Sequence, residues 1–260
     1  MKLKFIAVLA GWTLSAASQA AILGTTNAGG SDLLLNVWEQ VAPGGQPDQS
    51  FTLNLNETLS QFVAQSGSTA TLATLLSTDA TWTSFLASSD TADAGVLRWS
   101  VIASGNKTVG KGPSILGTVT AGTDPTTAGR SGFLIGNDLL EANAALSGMI
   151  GGLDKNLDEQ VAARLSNGYY QAYDMQDFNS SGFDNGNAIG VTANVETGTS
   201  DLGTRPATMT QLPGTMNFSQ VGGNYVLNYT VAAAPEAPGW LAMLAGLAAL
   251  TLIGRRRKSA

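Results

Sequence analysis

The chain has 260 residues, with thirteen Lys and Arg against nineteen Asp and Glu, and neither histidine nor cysteine. Without histidine there can be no Ser-His-Asp or Cys-His catalysis, no histidine general base and none of the usual zinc sites. Without cysteine there are no disulfides, so a domain of this size must rest on its apolar core. The net charge of −6 repels phosphate backbones and argues against nucleic acid as a partner.

Residues 1–20 have the layout of a secretory signal peptide. Lys2 and Lys4 form a basic start, Phe5 to Leu14 an apolar middle, and Ser18-Gln19-Ala20 a small-residue site for signal peptidase, placing cleavage between Ala20 and Ala21. The exported domain then runs from 21 to 234. Its first β-type run is Leu33 to Val41, closed by Pro43-Gly44-Gly45, and Ser50 to Leu55 alternates apolar and polar residues. Together the two runs predict a hairpin. Short Ser/Thr/Ala-rich stretches follow at Thr58–Gln65, Thr71–Leu76 and Asp79–Ala87, read as helices anchored by Leu59, Phe62, Leu75, Leu76, Trp82, Phe85 and Leu86.

Gly95 to Ala103 predicts a strand, Ser104-Gly105-Asn106-Lys107 a turn, and Ile115 to Thr120 its pairing strand. Ser104 and Lys107 also match the Ser-x-x-Lys spacing of acyl-transferring enzymes, but no Lys-Thr-Gly or Ser-Asp-Asn accompanies them, so the match is read as chance. From Asn137, apolar residues recur three or four apart at Leu139, Ala142, Leu146, Ile150, Leu153, Leu157, Val161 and Leu165. That is one helical stripe, broken at Gly151-Gly152, with Asp154 capping a second helix that ends at Asn167-Gly168. These helices are expected to cover one end or face of the sheets.

Between Tyr169 and Asn187 the chain gathers aromatics, amides and the carboxylates Asp174, Asp177 and Asp184. Oxygen ligands on a turning loop suit Ca²⁺, and exposed tyrosines suit a glycan, although the spacing is not that of an EF-hand. An ordinary polar loop is the preferred reading, with the Ca²⁺ site second and the glycan contact third. Thr215 to Val221 and Tyr225 to Val231 flank Gly222-Gly223-Asn224, the composition of a tight hairpin. Paired acids for glycoside cleavage are conceivable among nineteen carboxylates, but their spacing singles out none.

The last segment, 235–260, is tripartite. Pro235-Glu236-Ala237-Pro238 precedes an uncharged run from Gly239 to Gly254, and Arg255, Arg256, Arg257 and Lys258 follow it. Sixteen helical residues reach about 24 Å against a hydrocarbon core of roughly 30 Å, a deficit that snorkelling and local thinning can absorb. The four cations stay cytoplasmic by the positive-inside rule, which leaves 21–238 outside. Setting aside the six cations of the two terminal signals leaves seven against all nineteen acids, a balance of −12 for the exported part.

This tail resembles the PEP-CTERM sorting signal of exported proteins in Gram-negative bacteria that make extracellular polysaccharide. The motif falls on Pro235, Glu236 and Pro238, with Ala237 inserted before the second proline, and the likeness is confined to the tail. The resemblance implies an exosortase as processing enzyme after signal peptidase, an inner-membrane-anchored intermediate, and release to the cell surface or biofilm matrix. The expected fold is a mostly-β, single-domain antiparallel sandwich-like ectodomain with several peripheral helices and a C-terminal transmembrane helix. The expected role is structural or adhesive, not enzymatic, without a cofactor unless Ca²⁺ binds at Asp174, Asp177 and Asp184. A carbohydrate- or calcium-binding surface module is the alternative, and a histidine-free polysaccharide hydrolase the second.

Overall fold

The computed structural model describes residues 22–39, 49–88, 97–105, 114–120, 143–144, 146–163, 186–200 and 207–232. Strands β1 (Asp32–Glu39) and β2 (Gln49–Thr58) precede helix α1 (Leu59–Gln65), β3 (Ala70–Leu75) and helix α2 (Ala80–Ser88). Then come β4 (Leu97–Gly105), β5 (Ser114–Thr120), β6 (Glu159–Ala163), β7 (Asn187–Ala188), β8 (Thr192–Ser200), β9 (Ala207–Val221) and β10 (Asn224–Val231). All pair into one ten-stranded antiparallel sheet in the order β3-β10-β9-β8-β5-β4-β1-β2-β6, with β7 beside β4. The predicted hairpins β1–β2, β4–β5 and β9–β10 are all present.

The middle of the sheet is buried on both faces, which explains why β1 opens as a continuous apolar run instead of alternating. Leu33, Leu35 and Val37 enter one cluster with Phe51, Trp99, Val101 and Leu116. Leu34 and Trp38 point the other way, into a second cluster with Ile102, Ile115 and Val119. Period-2 geometry sends neighbouring side chains to opposite faces, so a strand covered on both sides needs apolar residues at both parities. The one polar position within that run, Asn36, is fully buried and accepts a hydrogen bond from Thr52 Oγ1 at 2.9 Å.

The second cluster is covered by helical residues 146–152, whose Leu146, Met149 and Ile150, with Leu153 just beyond, form the apolar stripe. The first cluster lies within the curl of the sheet and is filled by α1 and α2. Thr58 caps α1 in a capping box: its hydroxyl takes the Gln61 N–H and Gln61 Oε1 takes the Thr58 N–H. Asp79 caps α2 by accepting the Trp82 N–H at 2.9 Å.

That cap sets Trp82 into the curl. Its ring lies 4.9 Å from Phe51 of β2, 6.1 Å from Phe218 of β9 and 5.0 Å from Tyr225 of β10, each edge-on. β2 and β10 lie near opposite ends of the strand order. One indole touching both requires the sheet to bend back on itself. In β9, Pro213 and Gly214 sit within a register shift against β8, the place where a strand tolerates proline. Tyr229 lies against Gly214: its hydroxyl accepts the Gly214 N–H at 2.9 Å and donates to Ser66 O at 2.8 Å. A Cβ on Gly214 would stand 2.3 Å from the Tyr229 ring.

Two predicted helices are strands. Thr71–Leu76 forms β3, pairing with β10, because Ala73 and Leu75 alternate into the core while Thr71 and Thr74 face out. The helix expected after Asp154 is replaced by β6, which adds to the edge of β2. Asp154 Oδ1 instead accepts the Asn156 N–H, an Asx turn, and Leu157 is left 43% exposed, off the stripe. The ladder is continuous through the nine strands of that order, with β7 beside β4, and is not divided between two sheets. Among the described residues no helix is long and apolar enough to cross a membrane, and the run 239–254 lies outside them.

Two substitutions test this arrangement by urea unfolding of the full chain. Trp82→Ala is expected to cost about 3–5 kcal/mol, as for a large buried aromatic. Tyr229→Phe is expected to cost about 1–3 kcal/mol by leaving the Ser66 carbonyl and Gly214 N–H without their partner. An unchanged midpoint in either would show that the curl does not depend on that side chain.

Candidate functional site

The carboxylates singled out for Ca²⁺, Asp174, Asp177 and Asp184, lie outside the described residues, as do Ala20, Ala21, Pro235, Glu236, Pro238, Arg255, Arg256, Arg257 and Lys258. The end of the Tyr169–Asn187 stretch is described. Gly186 has φ +97° and packs so closely on the Trp38 indole that a Cβ there would meet it at 2.3 Å. Asn187 is 1% exposed; its Oδ1 accepts the Thr120 hydroxyl at 3.0 Å, and its Nδ2 has no partner. The stretch therefore rejoins the sheet through a tightly packed foot on β4.

Ser104, the serine of the Ser-x-x-Lys match, sits on β4 and is fully buried. Its hydroxyl donates to Ser114 O and accepts from the Asn143 amide, while its N–H reaches Ser31 Oγ. These bonds tie β4 to the Ser31 turn and to the helical residues beneath it. Lys107 lies outside the described residues. The serine thus has a structural role in joining these elements.

Acidic side chains meet at one seam, which spacing in the sequence did not reveal. Asp79, at the start of α2, and Glu159, at the start of β6, hydrogen-bond through their carboxyls, and Thr81 also bonds Glu159. Pairing of β6 with β2 brings them together across eighty positions of sequence. Burial pushes the Glu159 carboxyl above its ordinary range, and the adjacent charges of Asp79 and Asp158 push in the same direction. Asp158 Oδ1 is buried without a hydrogen-bond partner. Glycoside cleavage needs its two carboxyls about 5 Å or more apart to admit the sugar. Asp79 and Glu159 are in direct contact, so this pair has no room for one. No group of three acids among the described residues could hold a metal ion.

A second carboxyl stands by itself. Glu57 continues the inward parity of Phe51, Leu53 and Leu55, and it lines a small recess with Phe62, Gln65, Leu72 and Tyr229. Its Oε1 is buried and unpaired, and burial raises its pKa above 4.5. Asp32, 4% exposed, is also raised by burial, although the Leu23 N–H and the Asn54 amide both donate to Oδ2.

Compared with protein-family models, with curated proteins and with solved structures, the chain finds no match.

The Glu57 environment has a pH signature. A folded pKa above 4.5 means that the native state binds its proton more tightly than the unfolded state does. The contribution of Glu57 to stability is therefore fully present at acid pH and is lost as pH rises from 4.5 through the raised folded value. Glu57→Gln, neutral throughout, is expected to match the parent near pH 4 and to exceed it in urea midpoint at pH 7. A parent more stable than the variant at pH 7 would reveal a favourable partner for the ionised carboxylate and overturn the assignment.

Proposed function

We propose that this is an exported protein that is sorted through its C-terminal segment and has a structural or adhesive role at the cell surface or in the exopolysaccharide matrix. The observation that carries the reading is the order of features in the tail: Pro235-Glu236-Ala237-Pro238, the uncharged run 239–254 and the four cations Arg255 to Lys258. A proline-acid break followed by an apolar segment and a cationic stop suits a membrane intermediate held for a processing enzyme. The signal peptide at 1–20 supports the same route, because export must come before sorting.

The shape of the domain is compatible with this role. β10 ends at Val231, and only Ala232, Ala233 and Ala234 separate it from Pro235. A tether that short would hold the domain close to the membrane until cleavage. The sandwich expected from sequence takes the form, in this reading, of two arms of one sheet facing each other across Trp82. Residues 21–234 would then be the exported unit, with signal peptidase and an exosortase as its processing enzymes.

Intact mass tests the sorting reading. In cells with an active exosortase, the mature protein is expected to begin at Ala21 and to end near Pro235–Pro238. Replacing Pro235 and Glu236 with alanine is expected to leave the tail in place. A wild-type product that still ends at Ala260, with nothing shorter, overturns the proposal.

A further inference from the structure

Among the described residues, the face of the sheet that carries the second apolar cluster is covered only in part. Helical residues 146–152 lie over β1, β4 and β5, and Met209 near the start of β9 packs against the same cluster, whereas no described element packs on that face of β10, β3, the Thr215–Val221 part of β9 and the Thr192–Asn194 end of β8. Register determines what stands there. Leu227 and Tyr229 of β10 enter the inner cluster, so Asn228 and Thr230 face outward; by the same parity Thr215 and Asn217 of β9 do so too. Thr71 pairs with Asn228, Asn228 with Asn217, and Asn217 with Thr192, which makes one row across four adjacent strands. A second row, Thr230–Thr215–Asn194, runs alongside. Strand spacing puts neighbours in a row about 4.8 Å apart, and two residues along each strand put the rows roughly 6.7 Å apart.

The chemistry of this lattice is unusual for a solvated surface. Ordinary surfaces carry roughly a quarter to a third charged residues. Here every outward position on β3, β10 and β9, from Thr71 and Thr74 through Val226 to Ser219, is uncharged, on a chain whose net charge is −6; on β8 the outward Thr192 and Asn194 are uncharged too, and Glu196, two residues further on, is buried at 5% exposure. Thr71, Thr192 and Thr230 are exposed. The hydroxyl of Thr71 donates to Asn228 Oδ1, which leaves the Asn228 amide nitrogen for an incoming acceptor. Hydroxyls and amides both donate and accept, as sugar hydroxyls do.

The geometry points to this face as a binding surface for a neutral, polyhydroxylated polymer. The inference rests on the surface-and-matrix reading above and gives the chemical class of its partner. Anionic polymers would meet no cation on the face and a repelling field around it. An apolar protein partner would find Val226 and Val221 among the hydroxyls and amides, with Met209 toward the covered end. Each hydrogen bond would be weak against water, but a repeating polymer on a repeating lattice makes many of them together.

The test is co-sedimentation of the full chain, in mild detergent, with microcrystalline cellulose, cross-linked dextran and alginate beads. Retention is expected on at least one neutral polymer and not on anionic alginate. Thr230→Glu and, separately, the near-isosteric Asn228→Asp are expected to weaken that retention at least tenfold, with melting temperature unchanged. Ala64→Glu, exposed on α1, is expected to leave it intact. Three results would overturn the inference: retention on alginate alone, no retention on either neutral polymer, or binding unaffected by both face variants. Concentration-dependent self-association abolished by the same variants would do so as well, by assigning the face to a second copy. Because binding is read on the unprocessed chain, its failure is separate from a failure of tail cleavage.

Discussion

The fold depends on filling the inside of a bend. A sheet of ten strands can bury one face against itself only if it curls, and a curl leaves a volume that backbone hydrogen bonds cannot fill. Trp82 occupies that volume. It is fixed at its base by the Asp79 cap and reaches Phe51 on one arm and Phe218 with Tyr225 on the other. Phe85 stacks beside it at 5.5 Å, and Phe62 meets Tyr229 edge-on at 5.1 Å. Two short helices, neither long enough to be stable alone, thus do what a second sheet does in a two-sheet sandwich.

The register shift in β9 has a chemistry of its own. β9 is fifteen residues long, and Pro213-Gly214 interrupts its register with β8. Proline removes a ladder donor there, and glycine removes the side chain that would collide with Tyr229. The phenol then supplies hydrogen bonds to both sides, taking one from the strand and giving one to the end of α1. The tyrosine couples the curvature of the sheet to the helix that fills it.

Much of this was legible in the sequence because the signals are local. The β9–β10 hairpin announces itself through Gly222 and Gly223, both at positive φ in the structure, and the β1–β2 hairpin through alternation. Thr58 and Asp79 mark the helix starts, which the structure places within a residue of the predicted ones. The errors arose where tertiary pairing outweighed periodicity. Thr71-Leu72-Ala73-Thr74-Leu75 fits either period over so few residues, and pairing with β10 settles it as a strand. Val161 fell on a helical stripe by spacing, but the edge of β2 offered its segment a ladder. β8, Thr-Ala-Asn-Val-Glu-Thr-Gly-Thr-Ser, escaped detection because only Ala193 and Val195 carry its buried face. The Asp79–Glu159 contact could not be seen at all, since it exists only once β6 has joined the sheet.

Covering the two faces unequally connects this architecture to a role. The inner face is sealed by aromatics and the outer face of β1, β4 and β5 by the helical residues 146–152, so apolar surface is used up on one side of the sheet order. What remains outward on β10, β3 and the Thr215–Val221 part of β9 is mostly hydroxyl and amide, the composition a sheet can expose without inviting collapse onto another apolar surface. β10 lies within that face and is also the strand from which the chain runs into Pro235. A pull on the tail would therefore load a strand paired on both sides, with β9 and β3, and not a lone edge. A domain held through its last strand while presenting the outer face of that same strand would suit the attachment role proposed above, with the rows of uncharged side chains as the surface proposed to carry it.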